Sequence, residues 1–75
     1  MNKNLTFKEV LEIKGIVRRP KEQMKFNCLT GIYECYILFK EGGWILRGCD
    51  KDYWIAYNKA IQSLDRVPYK SLVCY

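Results

Sequence analysis

The sequence predicts a small single-domain α+β fold in the order α-β-β-β-α, an antiparallel three-stranded sheet packed by a C-terminal amphipathic helix. Three observations predict it. Gly42-Gly43 separates two apolar, aromatic-rich runs, which is the pattern of a β-hairpin. Residues 53–64 place apolar side chains at helical spacing behind the acids Asp50 and Asp52. Thr6 and Glu9 stand three residues apart at the head of an apolar run, as in a helix start. The 75 residues make one domain, because a chain this short buries only about 60% of the surface its unfolded form exposes. One core of that size supplies about 3–5 kcal/mol. Homo-oligomerisation is therefore an expectation from the outset.

In Thr6-Phe7-Lys8-Glu9 the Thr hydroxyl accepts from the third helical N–H and the Glu side chain returns to the cap's own N–H. Leu5 and Val10 are spaced for a hydrophobic staple. A helix over residues 7–14 then puts Phe7, Val10, Leu11 and the stem of Lys14 on one face, and Gly15 stops it. A rival reading makes 10–17 a strand, since Leu11, Ile13, Gly15 and Val17 alternate with Glu12, Lys14 and Ile16. Residues 16–25 lack helical periodicity, and Pro20 pushes its predecessor toward extended geometry. They read as a loop.

Strands follow at 24–29, 32–40 and 44–49, with Thr30-Gly31 turning the first into the second. A two-residue Gly42-Gly43 loop pairs Glu41 with Trp44, Lys40 with Ile45 and Phe39 with Leu46. Alternation then gives a core face of Tyr33, Cys35, Ile37, Phe39, Trp44 and Leu46. The other face holds Glu34, Tyr36, Leu38, Lys40, Ile45, Arg47 and Cys49. A one-residue slip would exchange part of that assignment. Asp50 and Asp52 cap the second helix and Pro68 ends it. Its apolar stripe is Tyr53, Tyr57, Ala60, Ile61 and Leu64, with Ala56 and Trp54 at the edges. Ile55 falls among the polar residues, where the tail at 69–75 either packs over it or adds an edge strand.

No histidine is present, which removes the usual general base, metal ligand and imidazole triads. Gly15, Gly31, Gly42, Gly43 and Gly48 form no phosphate-binding pattern. Asp50 and Asp52 are explained as helix-start acids without a metal. Cys28, Cys35, Cys49 and Cys74 form no C-x-x-C pair and read as reduced, buried or half-buried thiols of a cytoplasmic protein rather than zinc ligands. No stretch approaches the roughly 18 apolar residues of a membrane span, and the polar start is unlike a signal peptide. The expectation is a non-enzyme without cofactor or metal.

Charge and aromatics carry what remains. Lys14, Arg18, Arg19, Lys21 and Lys25 face Glu22 alone, a local excess of four out of the net +5. Such a stretch is either the footprint of phosphate contacts or a solvated loop. The order α-β-β-β-α is similar to that of the double-stranded RNA-binding domain, but where that family has a lysine-rich motif at its second helix this chain has Asp50-Lys51-Asp52. Seven aromatics between Tyr33 and Tyr57 are more than one small core can bury. Tyr36, Leu38, Ile45, Trp54 and Ile55 are thus the candidate protein-binding residues. The expected function is binding by protein–protein contact. The general character is similar to small phage-encoded proteins that inhibit or redirect a larger host or defence protein. The alternative is a regulator that binds RNA or DNA through Arg18, Arg19, Lys21, Lys25, Lys40 and Arg47, with Tyr36 as a stacking platform.

Overall fold

A computed structural model describes residues 5–14 and 18–75 and has the expected order: α1 (Phe7–Lys14), β1 (Glu22–Asn27), β2 (Ile32–Phe39), β3 (Gly43–Asp50), α2 (Tyr53–Gln62) and a short 3-10 turn, Tyr69–Ser71. The strands form an antiparallel meander in the order β1-β2-β3. Asn27 closes the first turn: its side-chain oxygen accepts from Leu29 N at 3.0 Å and its carbonyl from Gly31 N at 2.8 Å. Gly31 there takes a φ of +71°, which a side chain would disfavour.

The β2–β3 hairpin departs from the expected register. Phe39 pairs with Gly43, Leu38 with Trp44, Ile37 with Ile45 and Tyr36 with Leu46, so the loop is Lys40, Glu41 and Gly42. Positive φ falls on both Gly42 and Gly43, and that permits the three-residue closure. Beyond Leu46 one extra residue, Arg47, bulges out before Gly48 pairs with Cys35 and Cys49 with Glu34. The odd offset turns the first half of β3 over. Trp44 and Leu46 lie opposite Leu38 and Tyr36 on the outer face rather than in the core, and Ile45 shares the helix face with Ile37. The bulge restores the parity, leaving Cys49 outside as expected.

α2 packs on β3 and β2. The center of its buried stripe is Ala56, Ala60 and Leu64, all fully buried, so Ala56 is not an edge residue and the stripe is rotated away from Tyr53 and Trp54. Gly48 is the reason: a Cβ there would lie 2.5 Å from Ala60 N and 3.0 Å from Ala60 Cα, so the missing side chain lets the helix backbone approach the strand. Cys35, Ile37, Leu64, Leu72 and Phe7 complete this core, with Met24, Phe39, Tyr57 and Ile61 packed against it. Burying Ile37 and Leu64 alone is worth about 1.5–3 kcal/mol each.

Asp52 caps α2 as expected, accepting from Trp54 N at 2.9 Å and Ile55 N at 3.1 Å. The helix ends at Gln62, before Pro68. Ser63 closes it, with Oγ donating to Ala60 O at 2.6 Å while Arg47 donates to its carbonyl oxygen at 2.8 Å.

α1 has the reciprocal capping box: Glu9 N donates to Thr6 Oγ1 at 3.1 Å and Thr6 N to Glu9 Oε1 at 3.0 Å. Residues 10–14 are helical, which overturns the strand alternative, while the stop at Gly15 lies outside the described residues. Phe7 and Val10 are buried but Leu11 is exposed, because α1 docks on 65–69 rather than across the sheet, with Phe7 N donating to Val67 O and Tyr69 N to Leu5 O. The C-terminal segment extends the sheet by isolated bridges, Leu72 to Phe39 and Cys74 to Pro20. It leaves Ile55 uncovered.

Candidate functional site

The five candidate binding residues fall on both sides of the sheet. Tyr36 and Leu38 lie on the outer face, where the observed register sets them directly beside Leu46 and Trp44. Trp44 and Leu46 are each 45% exposed, and Tyr36 and Leu38 are half-buried. Among the described residues no element packs across these four side chains. Gln23, Lys25 and Asn27 of β1 border them, paired with Tyr36, Glu34 and Ile32. The Lys25 ammonium sits 5.2 Å from the Tyr36 ring centroid. Tyr36 donates its hydroxyl to Glu34 Oε1 at 3.1 Å, and that bond holds the phenol above its ordinary pKa.

The other three residues face the helix side. Ile45 shares that face with Ile37 and stays partly exposed at the hairpin end. Ile55 is exposed on α2, and Trp54 is 66% exposed. Trp54 belongs to a run of rings in edge or tilted contact, Phe26–Tyr33–Tyr53–Trp54–Tyr57, with centroid spacings of 4.9, 5.5, 5.0 and 6.1 Å. The run crosses from β1 over β2 to α2. At its end Tyr53, Trp54 and Tyr57 border a groove of about 350 Å³ whose remaining walls are Met24, Glu22 and Arg19.

The basic residues do not form one platform. Arg47 is turned inward: Nε donates to Ser63 Oγ at 3.0 Å, Nη2 donates to Ser63 O, and its guanidinium lies 5.7 Å from the Phe39 ring centroid. The bulge aims it there, so it is not on the outer face. Arg19 is engaged by Glu22 Oε1 at 2.9 Å and by the Tyr57 hydroxyl at 3.3 Å. Arg18 is exposed, and its backbone N–H donates to the Tyr69 hydroxyl. Lys25 is on the outer face, Lys21 continues that ladder opposite Leu38, whose N–H donates to Lys21 O at 3.0 Å, and Lys40 is exposed at the hairpin loop.

Of the thiols, Cys35 is fully buried and Cys74 half-buried, but Cys28 and Cys49 are exposed, contrary to expectation; one sits in a turn and the other on the uncovered outer face. Burial, and then the nearby Glu22 carboxylate, push the Cys35 thiol pKa up. Asp50 accepts from Asp52 N and pairs with Lys59 at 3.0 Å, and these bonds lower its pKa. Among the described residues no three acidic or cysteine side chains converge on a metal-sized site, and no helix is long and apolar enough to cross a membrane.

Sequence reasoning missed Trp44 and Leu46, which the register hid, and Glu22, Met24, Tyr53 and Tyr57 as walls of one groove. The aromatic spacing Tyr53-Trp54-Tyr57 was a visible signal for the last two. Comparison with protein-family models, curated proteins and solved structures finds no match for this chain.

Proposed function

We propose that this protein is a small non-catalytic binding module that acts by protein–protein contact, using the outer face of its sheet. The observation that carries this is the uncovered cluster of Tyr36, Leu38, Trp44 and Leu46. An apolar centre with a polar border is the composition of a binding interface. Lys21, Lys25 and Lys40 flank the cluster, while Glu34 is already bonded to Tyr36. The partner that fits is a larger protein with an apolar surface ringed by acids, and the action proposed is inhibition or modulation of a host or defence protein of the kind that phages and mobile elements target. A second copy of the chain is the competing occupant. The nucleic-acid alternative has less support, because Arg19 and Arg47 are spent on contacts within the fold.

The test is affinity capture from a bacterial lysate with and without nuclease, using the tagged protein beside a Trp44→Ser/Leu46→Ser variant whose fold is checked by circular dichroism. A discrete protein retained after nuclease by the wild type and lost by the variant is the expected result. Identical retention by both proteins would overturn the assignment to this face. Nucleic acid bound at low salt and shed at high salt, with no protein, would favour the regulator. A concentration-dependent mass by light scattering that the variant abolishes would make the occupant a second copy.

A further inference from the structure

The groove beside α2 lies across the sheet from the apolar face and has a different chemistry. Glu22 pairs with Ile37 in the ladder and so points to the helix side, where one of its oxygens is held by Arg19 at 2.9 Å. Its other oxygen, Oε2, is buried with no hydrogen-bond partner among the described residues. With that oxygen closed off from solvent, Oε1 is the atom through which the carboxylate meets a donor, and the donor it meets is a guanidinium. Tyr53, Trp54 and Tyr57 line the same groove, and aromatic faces attract cations, Trp most strongly. Trp54 is the most exposed of the three, so its ring can be covered by a visitor.

Arg19 indicates which cation suits the groove. Its guanidinium reaches both Glu22 and the Tyr57 hydroxyl, yet its side chain remains 64% exposed, so the contact is at the rim. A guanidinium is planar, stacks on indole and donates along fixed directions, which a compact ammonium does not do. We propose that this groove binds the arginine side chain of a partner peptide, its guanidinium taking the place of Arg19 on Glu22 Oε1 and stacking on Trp54, with Arg19 as the internal competitor for that oxygen. The site does not depend on the outer sheet face. A Trp44→Ser/Leu46→Ser variant retains it.

The experiment is a fluorescence titration of a Trp44→Phe background, in which Trp54 is the single indole, with acetyl-Gly-Arg-Gly-amide and with its citrulline and lysine counterparts. The arginine peptide is expected to shift Trp54 emission in a saturable way, while the uncharged citrulline peptide leaves it unchanged and the lysine peptide binds more weakly. Glu22→Gln is expected to weaken arginine binding about tenfold or more, since the charge-assisted bond is lost. Arg19→Ala is expected to tighten it about threefold or more by removing the competitor. Equal responses to arginine and citrulline or lysine peptides, or weaker binding on Arg19→Ala, would overturn the proposal. If Glu22→Gln fails to fold, amide shifts of the wild-type protein decide it: changes at Tyr53, Trp54 and Tyr57 support the site, and changes confined elsewhere refute it.

Discussion

Gly48→Ala is the substitution that most directly tests how α2 is seated. The added Cβ would meet the Ala56 carbonyl oxygen, Ala60 N at 2.5 Å and Ala60 Cα at 3.0 Å, where ordinary contact begins at 3.4 Å. All three are backbone atoms, so no rotamer change relieves the clash and the helix must retreat by about 1 Å. That retreat lifts the fully buried Ala56, Ala60 and Leu64 from the sheet. Overpacking usually costs about 1–3 kcal/mol, and an immovable neighbour places this case at the upper end, about 3 kcal/mol. Against about 3–5 kcal/mol of total stability for a core of this size, most of the margin is removed. With a urea slope of about 1 kcal/mol/M the midpoint falls by about 3 M, which erases the native baseline. Urea titration followed by far-UV circular dichroism measures it. Gly43→Ala is the control: its φ is +69° and nothing lies within 4 Å, so it loses only the backbone term, about 1 kcal/mol. Stability of Gly48→Ala within about 0.5 kcal/mol of the wild type, or no lower than that of Gly43→Ala, would refute the close approach.

Arg47→Ala is expected to cost about 1–2 kcal/mol by removing two charge-assisted bonds to Ser63, with Arg47→Lys recovering less than half because an ammonium lacks the fork, both read from urea midpoints. Neither change should alter the salt dependence of any nucleic-acid binding. In native buffer a thiol reagent should label Cys28 and Cys49 quickly and Cys35 only after unfolding, since Cys35 is buried and its thiol pKa is raised; counting labels by mass spectrometry checks this. Asp50 has a lowered folded-state pKa, so its contribution is present above the unfolded value near 3.9 and is lost as pH falls through the lower folded value. Asp50→Asn should therefore flatten the fall in urea midpoint below about pH 4 relative to the wild type.

The elements were legible because their signals are local. Thr6 and Glu9, Asp52 ahead of Tyr53, and Asn27 to Gly31 each determine a terminus or turn through a few adjacent groups. What was illegible depends on distance. Gly42-Gly43 announced a hairpin but not which residue would pair with Phe39, and the difference between a two- and a three-residue loop reversed Trp44, Ile45 and Leu46. Arg47 looked like a surface cation because the bulge that turns it toward Ser63 has no mark in composition. The stripe of α2 was misjudged at Ala56 for a related reason: two alanines look like weak core residues until Gly48 is found opposite them. The glycine and the alanines are one feature divided between two elements. As for the candidate site, alternation placed Tyr36 and Leu38 on the outer face and helical spacing placed Trp54 off the buried stripe, where the structure has them, but only the folded register shows which neighbours they share.

The bulge also makes β3 a strand of two parities. From Gly43 to Ile45 the odd positions face the helix, and from Gly48 to Asp50 the even ones do. Loss of the single residue Arg47 would join the halves in one phase without turning either over, since Leu46 beside Tyr36 and Gly48 beside Cys35 would then be successive rungs of a regular ladder. Ile45 and Gly48 would still face the helix and Trp44, Leu46 and Cys49 the open side; what the deletion removes is the guanidinium held at Ser63. The bulge is thus a branch let into an otherwise regular ladder, one position of β3 given over to tying the strand to the end of α2, so a sequence without it should keep both faces of the hairpin and lose the tether to Ser63.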